Sequence, residues 1–246
     1  MRIPAGPKLF ADALQRWPWP EDCTLPDVSP FTFTLDGGGR HLIQTVLQNR
    51  TNSIFAEFGT FMGGAARTWL SNNIGLRYVC VDPWGDDITD YVKSLSNVDW
   101  AARAYKTSYL EEIAELLSRY GPLRLVQNNL ASFKDRCVLI RGRIPAAYSE
   151  MRSAGLVPDI IYIDALKRHE DFVEAHKIFP NAIITGDDWN WGIQADGAYP
   201  IRPYVEEIAR ERNGQIYADR ATFVISEPRH ELQFDDKWRY MSQSSA

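Results

Sequence analysis

Carboxylates recur where short apolar runs break off: Glu57 in SIFAEFG, Asp82 in YVCVDPW, Asp164 in IIYIDA, and Asp187 with Asp188 in IITGDD. Glu57 is followed by Gly59, Thr60 and the pair Gly63-Gly64, so the glycines run Gly-x-x-x-Gly rather than Gly-x-Gly-x-x-Gly. Such glycines permit a sharp exit from a strand and let backbone approach a ligand at a helix N-terminus. The spacing argues against a dinucleotide pyrophosphate, and an acid two residues before the first glycine suits a cationic ligand better. Asp82 lies 23 residues beyond Gly59, near the interval of about 20 at which an acid accepts the hydroxyls of a ribose. The alternative for Asp82 is a turn-forming Asp before Pro83. Trp84 either stacks on a base or packs. Together the glycine turn and Asp82 point to a nucleoside-type ligand.

The later acids suggest a different chemistry. Strands in a sheet lie about 4.8 Å apart, so Asp164, Asp187 and Asp188, delivered by neighbouring strands, would repel one another unless a cation joined them. Oxygen-only ligands predict a hard divalent ion such as Mg²⁺, Mn²⁺ or Ca²⁺. On the other reading, Asp164 caps the following helix and one of the Asp187–Asp188 pair is solvated. Lys167 and His169 follow Asp164 closely, and either could take a proton from a substrate hydroxyl. Trp189, Asn190 and Trp191 come directly after the last acids and either wall an acceptor pocket or pack. The triple glycine 37–39 reads as a flexible joint before a helix that starts at about Arg40.

These residues need elements to hold them. From Ser53 onward, short Val/Ile/Tyr runs alternate with amphipathic stretches. Strands are expected at SIFAEFG, LRYVCVDPW, CVLIRG, PDIIYIDA and NAIITGDD, and helices between them. Segments 107–121 and 122–133 read as helices after an acidic loop, and QIYADRATFVISEP as two closing strands. This alternation predicts an α/β fold, a doubly wound, mostly parallel sheet buried on both faces. The last hairpin would add an antiparallel edge. Residues 1–37 read as an N-terminal arm with one helix near Pro7–Arg16, residues 38–228 as one domain, and residues 229–246 as a polar tail that frays.

Bulk properties narrow the partners. The net charge is −5 over 246 residues, and no basic stripe of the kind that binds nucleic acid is visible. Three cysteines, Cys23, Cys80 and Cys137, give neither a disulfide framework nor a zinc spacing. No stretch has the length of a signal peptide or a membrane span. The expectation is a cytoplasmic protein with a small-molecule or carbohydrate acceptor, no nucleic acid and no membrane, with a homo-oligomer left open.

FAEFGTFMGGAARTWL, YVCVDPW, DRCVLIRG, PDIIYIDALKRHEDF and AIITGDDW, in this order and spacing, resemble the class I S-adenosylmethionine-dependent methyltransferases. Within that class they look like the bacterial macrocin-type sugar O-methyltransferases and cephalosporin-hydroxylase-like proteins, over roughly residues 40–227. The resemblance implies a Rossmann-like methyltransferase fold with a seven-stranded sheet whose last strand is antiparallel. It also implies S-adenosylmethionine contacts at Glu57, Gly59, Gly63 and Asp82, and a magnesium site at Asp164, Asp187 and Asp188 in the metal-dependent members. Two departures stand out: Lys167 occupies a position where relatives carry His, and Gly142-Arg143 replaces an acid that would hold the adenine amine. The implied activity is methyl transfer to a hydroxyl assisted by a divalent ion. The alternatives are metal-independent N- or O-transfer and a binding module without catalysis.

Overall fold

The computed structural model describes residues 7–35, 37–166, 168–192 and 200–241. In chain order the elements are α1 Pro7–Arg16, α2 His41–Asn49, β1 Ile54–Phe58, α3 Gly64–Asn72, β2 Arg77–Asp82, α4 Asp87–Leu95 and α5 Asp99–Ala104. Then come α6 Thr107–Tyr120, α7 Pro122–Leu130, β3 Cys137–Arg141, α8 Ala146–Ser153, β4 Ile160–Ile163 and α9 His169–Ile178. The chain continues with β5 Ile183–Gly186, α10 Arg202–Glu211, β6 Gln215–Asp219 and β7 Thr222–Ser226.

The strands form a seven-stranded sheet in the order β3-β2-β1-β4-β5-β7-β6. β1 to β5 run parallel, while β7 is antiparallel to both β5 and β6. The antiparallel strand is thus one in from the edge, and β6 forms the edge itself. Period-2 alternation divides each strand between two apolar layers. Phe55, Tyr78, Cys80, Ile160 and Tyr162 face one layer, with Trp69 of α3 and Leu42 and Val46 of α2. Ile54, Phe58, Val79, Val81, Ile161 and Ile163 face the other, with Tyr148 of α8 and Phe172 of α9. Burial on both faces explains why these strands read as unbroken apolar runs.

Three segments differ from expectation. The acidic loop after β2 contains α4 and α5. Ile88, Val92 and Leu95 form its buried stripe at i, i+4 and i+7, and Asp87 and Asp90 sit in the first turn of α4, where acids complement the helix dipole. The acidic composition hid that stripe. The tail expected to fray is held as far as Tyr240, and its residues 242–246 lie outside the described residues. Tyr240 N–H donates to the Ile216 carbonyl at 2.9 Å, and the Tyr240 ring packs edge-on against Trp189. The arm before Asp36 is pinned without regular structure beyond α1. Trp19 Nε1 donates to the Cys137 carbonyl, and the Leu25 and Phe31 N–H groups donate to Asn128 and Asn129 Oδ1. It delivers Phe33 to the core. Among the described residues, no helix is long and apolar enough to cross a membrane.

Candidate active site

Strand order reverses between β1 and β4, because the chain fills β2 and β3 on one side before crossing to β4 on the other. Ligands of open α/β sheets sit beyond the strand C-termini at such a point. A cavity of about 830 Å³ opens there. It is lined by residues from the ends of β1, β2, β4 and β5, among them Glu57, Gly59, Thr60, Asp82, Asp164, Asp187 and Asp188, with Phe33 and Arg40 from the N-terminal side.

The loop after β1 can be this tight only with glycine. Gly59 has φ +96°, and a Cβ there would lie 2.0 Å from the Asp164 carbonyl oxygen. Beyond it, Phe61 (φ 53°) and Trp84 (φ 41°) both adopt left-handed backbone, a costly state for bulky residues that must be held in place. Asp82 does the holding. Its Oδ2 accepts from Phe61 N–H at 2.9 Å, its Oδ1 accepts from Trp84 N–H at 2.8 Å, and Trp84 Nε1–H donates to the Phe61 carbonyl at 2.9 Å. Asp82 therefore clamps the two loops together as well as facing the cavity. Burial pushes its carboxyl up to about 6 against the pull of those two N–H groups.

Glu57 sits deeper. It is buried, and its Oε2 accepts from the Tyr78 hydroxyl at 3.0 Å. Burial pushes its carboxyl up to about 8, with Arg40 opposing and Asp164 reinforcing the rise. Burial thus favours the neutral form of this carboxyl. Thr60 is buried at the same turn, its hydroxyl donating to the Glu57 carbonyl at 3.3 Å.

The other wall departs from the expected arrangement. β5 ends at Gly186, and the chain turns at Asp188, which has φ 65°. The turn that Asp187 and Asp188 would need to converge is present. A side-chain cation lies between Asp187 and Asp164. Arg40 Nη2 lies 3.4 Å from Asp187 Oδ2 and 3.5 Å from Asp164 Oδ2. The guanidinium stands over the Trp69 ring, 6.0 Å from its centroid. The Tyr162 hydroxyl is buried with no hydrogen-bond partner among the described residues, and it interacts electrostatically with Arg40, Asp187, Asp164 and Glu57. Among the described residues no group of three or more His, Cys, Asp and Glu is arranged to hold a metal. The expected Mg²⁺ site at Asp164, Asp187 and Asp188 does not fit these residues, because a fixed cation already lies between two of the three acids.

Arg40 was not among the residues expected from sequence. Its signal was the triple glycine before it. Gly39 has φ +93°, and a Cβ there would lie 1.9 Å from the Asp219 carbonyl oxygen. Thr222 Oγ1–H donates to the Gly38 carbonyl at 3.0 Å. The segment is a close-packed seam against the β6–β7 turn, not a flexible joint, and it sets Arg40 at the start of α2 facing the cavity.

Other expected site residues fall elsewhere. Trp84 is buried, absent from the cavity wall and bonded through its indole to Phe61, so it is a packing element and not a stacking platform for a base. Gly63 (φ +75°) precedes α3 as its cap, and it is Gly64 that lines the cavity. His169 points away. Its side chain is 53% exposed, Nε2 is 3.6 Å from Glu207 Oε2 on α10, and its ring is 4.7 Å from Tyr204. It does not line the cavity as the proposed base would. Lys167 lies outside the described residues. Trp189 is a core residue, whereas Asn190 and Trp191 line the cavity mouth.

The parallel strands β3-β2-β1-β4-β5 followed by the antiparallel β7 and the edge β6 define a Rossmann-like methyltransferase fold. No protein-family model and no curated protein matches the chain. Solved structures of similar fold include the O-methyltransferase TomG from Streptomyces achromogenes, involved in tomaymycin synthesis and solved with S-adenosylmethionine. It is 17% identical, with 89% of this chain and 88% of that one covered at a TM-score of 0.45. A methyltransferase from Geobacter sulfurreducens is 16% identical, covering 80% and 81% of the two chains at 0.45. A precorrin-6y C5,15-methyltransferase from Geobacter metallireducens is 9% identical, covering 85% and 97% at 0.45.

Proposed function

We propose that this protein transfers a methyl group from S-adenosylmethionine to a hydroxyl of a small molecule. The observation that carries the reading is the cavity at the strand-order reversal, with Glu57 and Asp82 on one wall and Asp164 and Asp187 on the other. A carboxylate-rich wall suits a ligand that carries an ammonium, a sulfonium and a ribose, and repels a pyrophosphate. The glycine turn at Gly59 and the start of α3 at Gly64 bring backbone to the cavity wall. Bound there, S-adenosylmethionine supplies an electrophilic methyl carbon on a positively charged sulfur, which leaves as a neutral thioether.

Asp82 would accept from the ribose hydroxyls through the lone pairs its two backbone bonds leave over. Glu57 would ionise on meeting the ligand's cationic end, since a nearby positive charge favours the carboxylate. The acceptor would enter by the β4–β5 side. Leu166 and Trp191, 71% and 65% exposed, line the mouth there, which supports an acceptor with an apolar or planar face. With His169 turned toward α10, we assign proton acceptance to Asp164, which lines the cavity beside Arg40. Catalysis would then rest on positioning and electrostatics.

Calorimetry with S-adenosylmethionine and its demethylated product tests the cofactor half, and a screen of acceptors with labelled methyl donor tests the rest. The expectation is binding in the micromolar range, typical of enzyme ligands. Absence of heat with either ligand, alongside a clear response to NAD, would overturn the reading.

A further inference from the structure

We infer that Arg40 is a resident cation of the acidic wall, taking the place of a divalent ion and making the site independent of one. The inference deepens the methyltransferase reading, but it stands on the geometry of Arg40, Asp164 and Asp187.

A hard ion bridging two carboxylates must sit about 2.0–2.6 Å from each oxygen. Arg40 Nη2 lies between Asp187 Oδ2 at 3.4 Å and Asp164 Oδ2 at 3.5 Å, so its volume fills the place such an ion would need. The guanidinium is held there from three sides. The glycine seam at Gly39 presses the start of α2 onto the β6–β7 turn, Trp69 lies beneath, and the Arg40 side chain is only 14% exposed. An arginine in a protein does not lose its proton, so the positive charge is permanent. It reduces the charge of the acid pair and repels a second cation. Asp187 is nearly fully buried, and Arg40 lies within ion-pair reach of its carboxylate. Arg40 is thus a positioning residue: it keeps Asp164 and Asp187 together at the cavity wall.

The test is Mn²⁺ binding followed by electron paramagnetic resonance on the full chain, with no activity needed. Wild type is compared with Arg40→Ala, Arg40→Gln, Arg40→Lys, Asp187→Asn and Arg40→Ala/Asp187→Asn, each checked by circular dichroism. The expected result is no specific binding by wild type or Arg40→Lys. Arg40→Ala should bind Mn²⁺ specifically, at least about tenfold tighter than the nonspecific background of wild type, and the gain should vanish in the double variant. Arg40→Gln stands in should Arg40→Ala not fold. Specific binding by wild type that disappears in Asp187→Asn would overturn the inference without any other variant. So would neutral Arg40 variants that bind no better than wild type. S-adenosylmethionine calorimetry on the same samples separates the two claims, because its failure would remove the methyltransferase reading and leave the Mn²⁺ result standing.

Discussion

On the β1–β2 wall of the cavity, the acids are managed by partners close in sequence. Glu57 meets the Tyr78 hydroxyl 21 positions on, and Asp82 meets the N–H groups of Phe61 and Trp84, 21 and 2 positions away. On the β4–β5 wall, Asp187 meets Arg40 across 147 positions. The first wall handles its acids mainly with burial and neutral donors, with Arg40 opposing the rise of Glu57. The second wall carries its own cation. On the proposed function, the less compensated wall suits a cationic donor, and the wall paired with Arg40 suits a neutral acceptor.

The largest test of this contrast is the pH dependence of stability. The folded protein raises the Glu57 carboxyl from 4.5 to about 8, so the folded state holds a proton that the unfolded state has released. The contribution of Glu57 is fully present below pH 4.5 and is lost as pH rises toward 8. A tenfold difference in proton affinity is worth about 1.4 kcal/mol, so the loss across this window is on the order of 5 kcal/mol. Urea melts of ligand-free protein should show Glu57→Gln gaining on wild type between pH 5 and 8. Parallel pH profiles for the two proteins would mean that Glu57 is not held neutral.

A double-mutant cycle addresses the other wall. Arg40→Met should cost about 3 kcal/mol in the same melts, because buried Asp187 loses the charge of Arg40 beside it. Adding Asp187→Asn should restore much of that loss, the signature of a coupled pair. Additive effects would show that the two side chains do not depend on each other.

A smaller effect is expected at the cofactor. Asp82→Ala removes the clamp between the Phe61 and Trp84 loops together with the ribose acceptor, and should weaken S-adenosylmethionine binding by about 2 kcal/mol in calorimetry. Unchanged affinity would reduce Asp82 to a turn residue. Smallest of all, His169→Ala should change stability by no more than about 0.5 kcal/mol and leave methyl transfer intact. Loss of turnover with stability retained would return His169 to the role of base and would mean that it swings into the cavity.

Local pattern was sufficient to read the sheet, its two buried faces, the glycine turn and the placing of Glu57, Asp82, Asp164, Asp187 and Asp188 at strand ends. These features are legible because strand periodicity and turn chemistry each depend on residues a few positions apart. What the acids meet was set by packing between distant parts of the chain. The direction of His169 follows from the packing of α9 on α10, and Trp84 is taken into the core by its bond to Phe61. Above all, Arg40 enters the acid pair only because glycines 37–39 let the start of α2 lie against the β6–β7 turn. A charge pair that spans 147 positions leaves no periodicity behind, and three carboxylates read without their arginine look like a metal site.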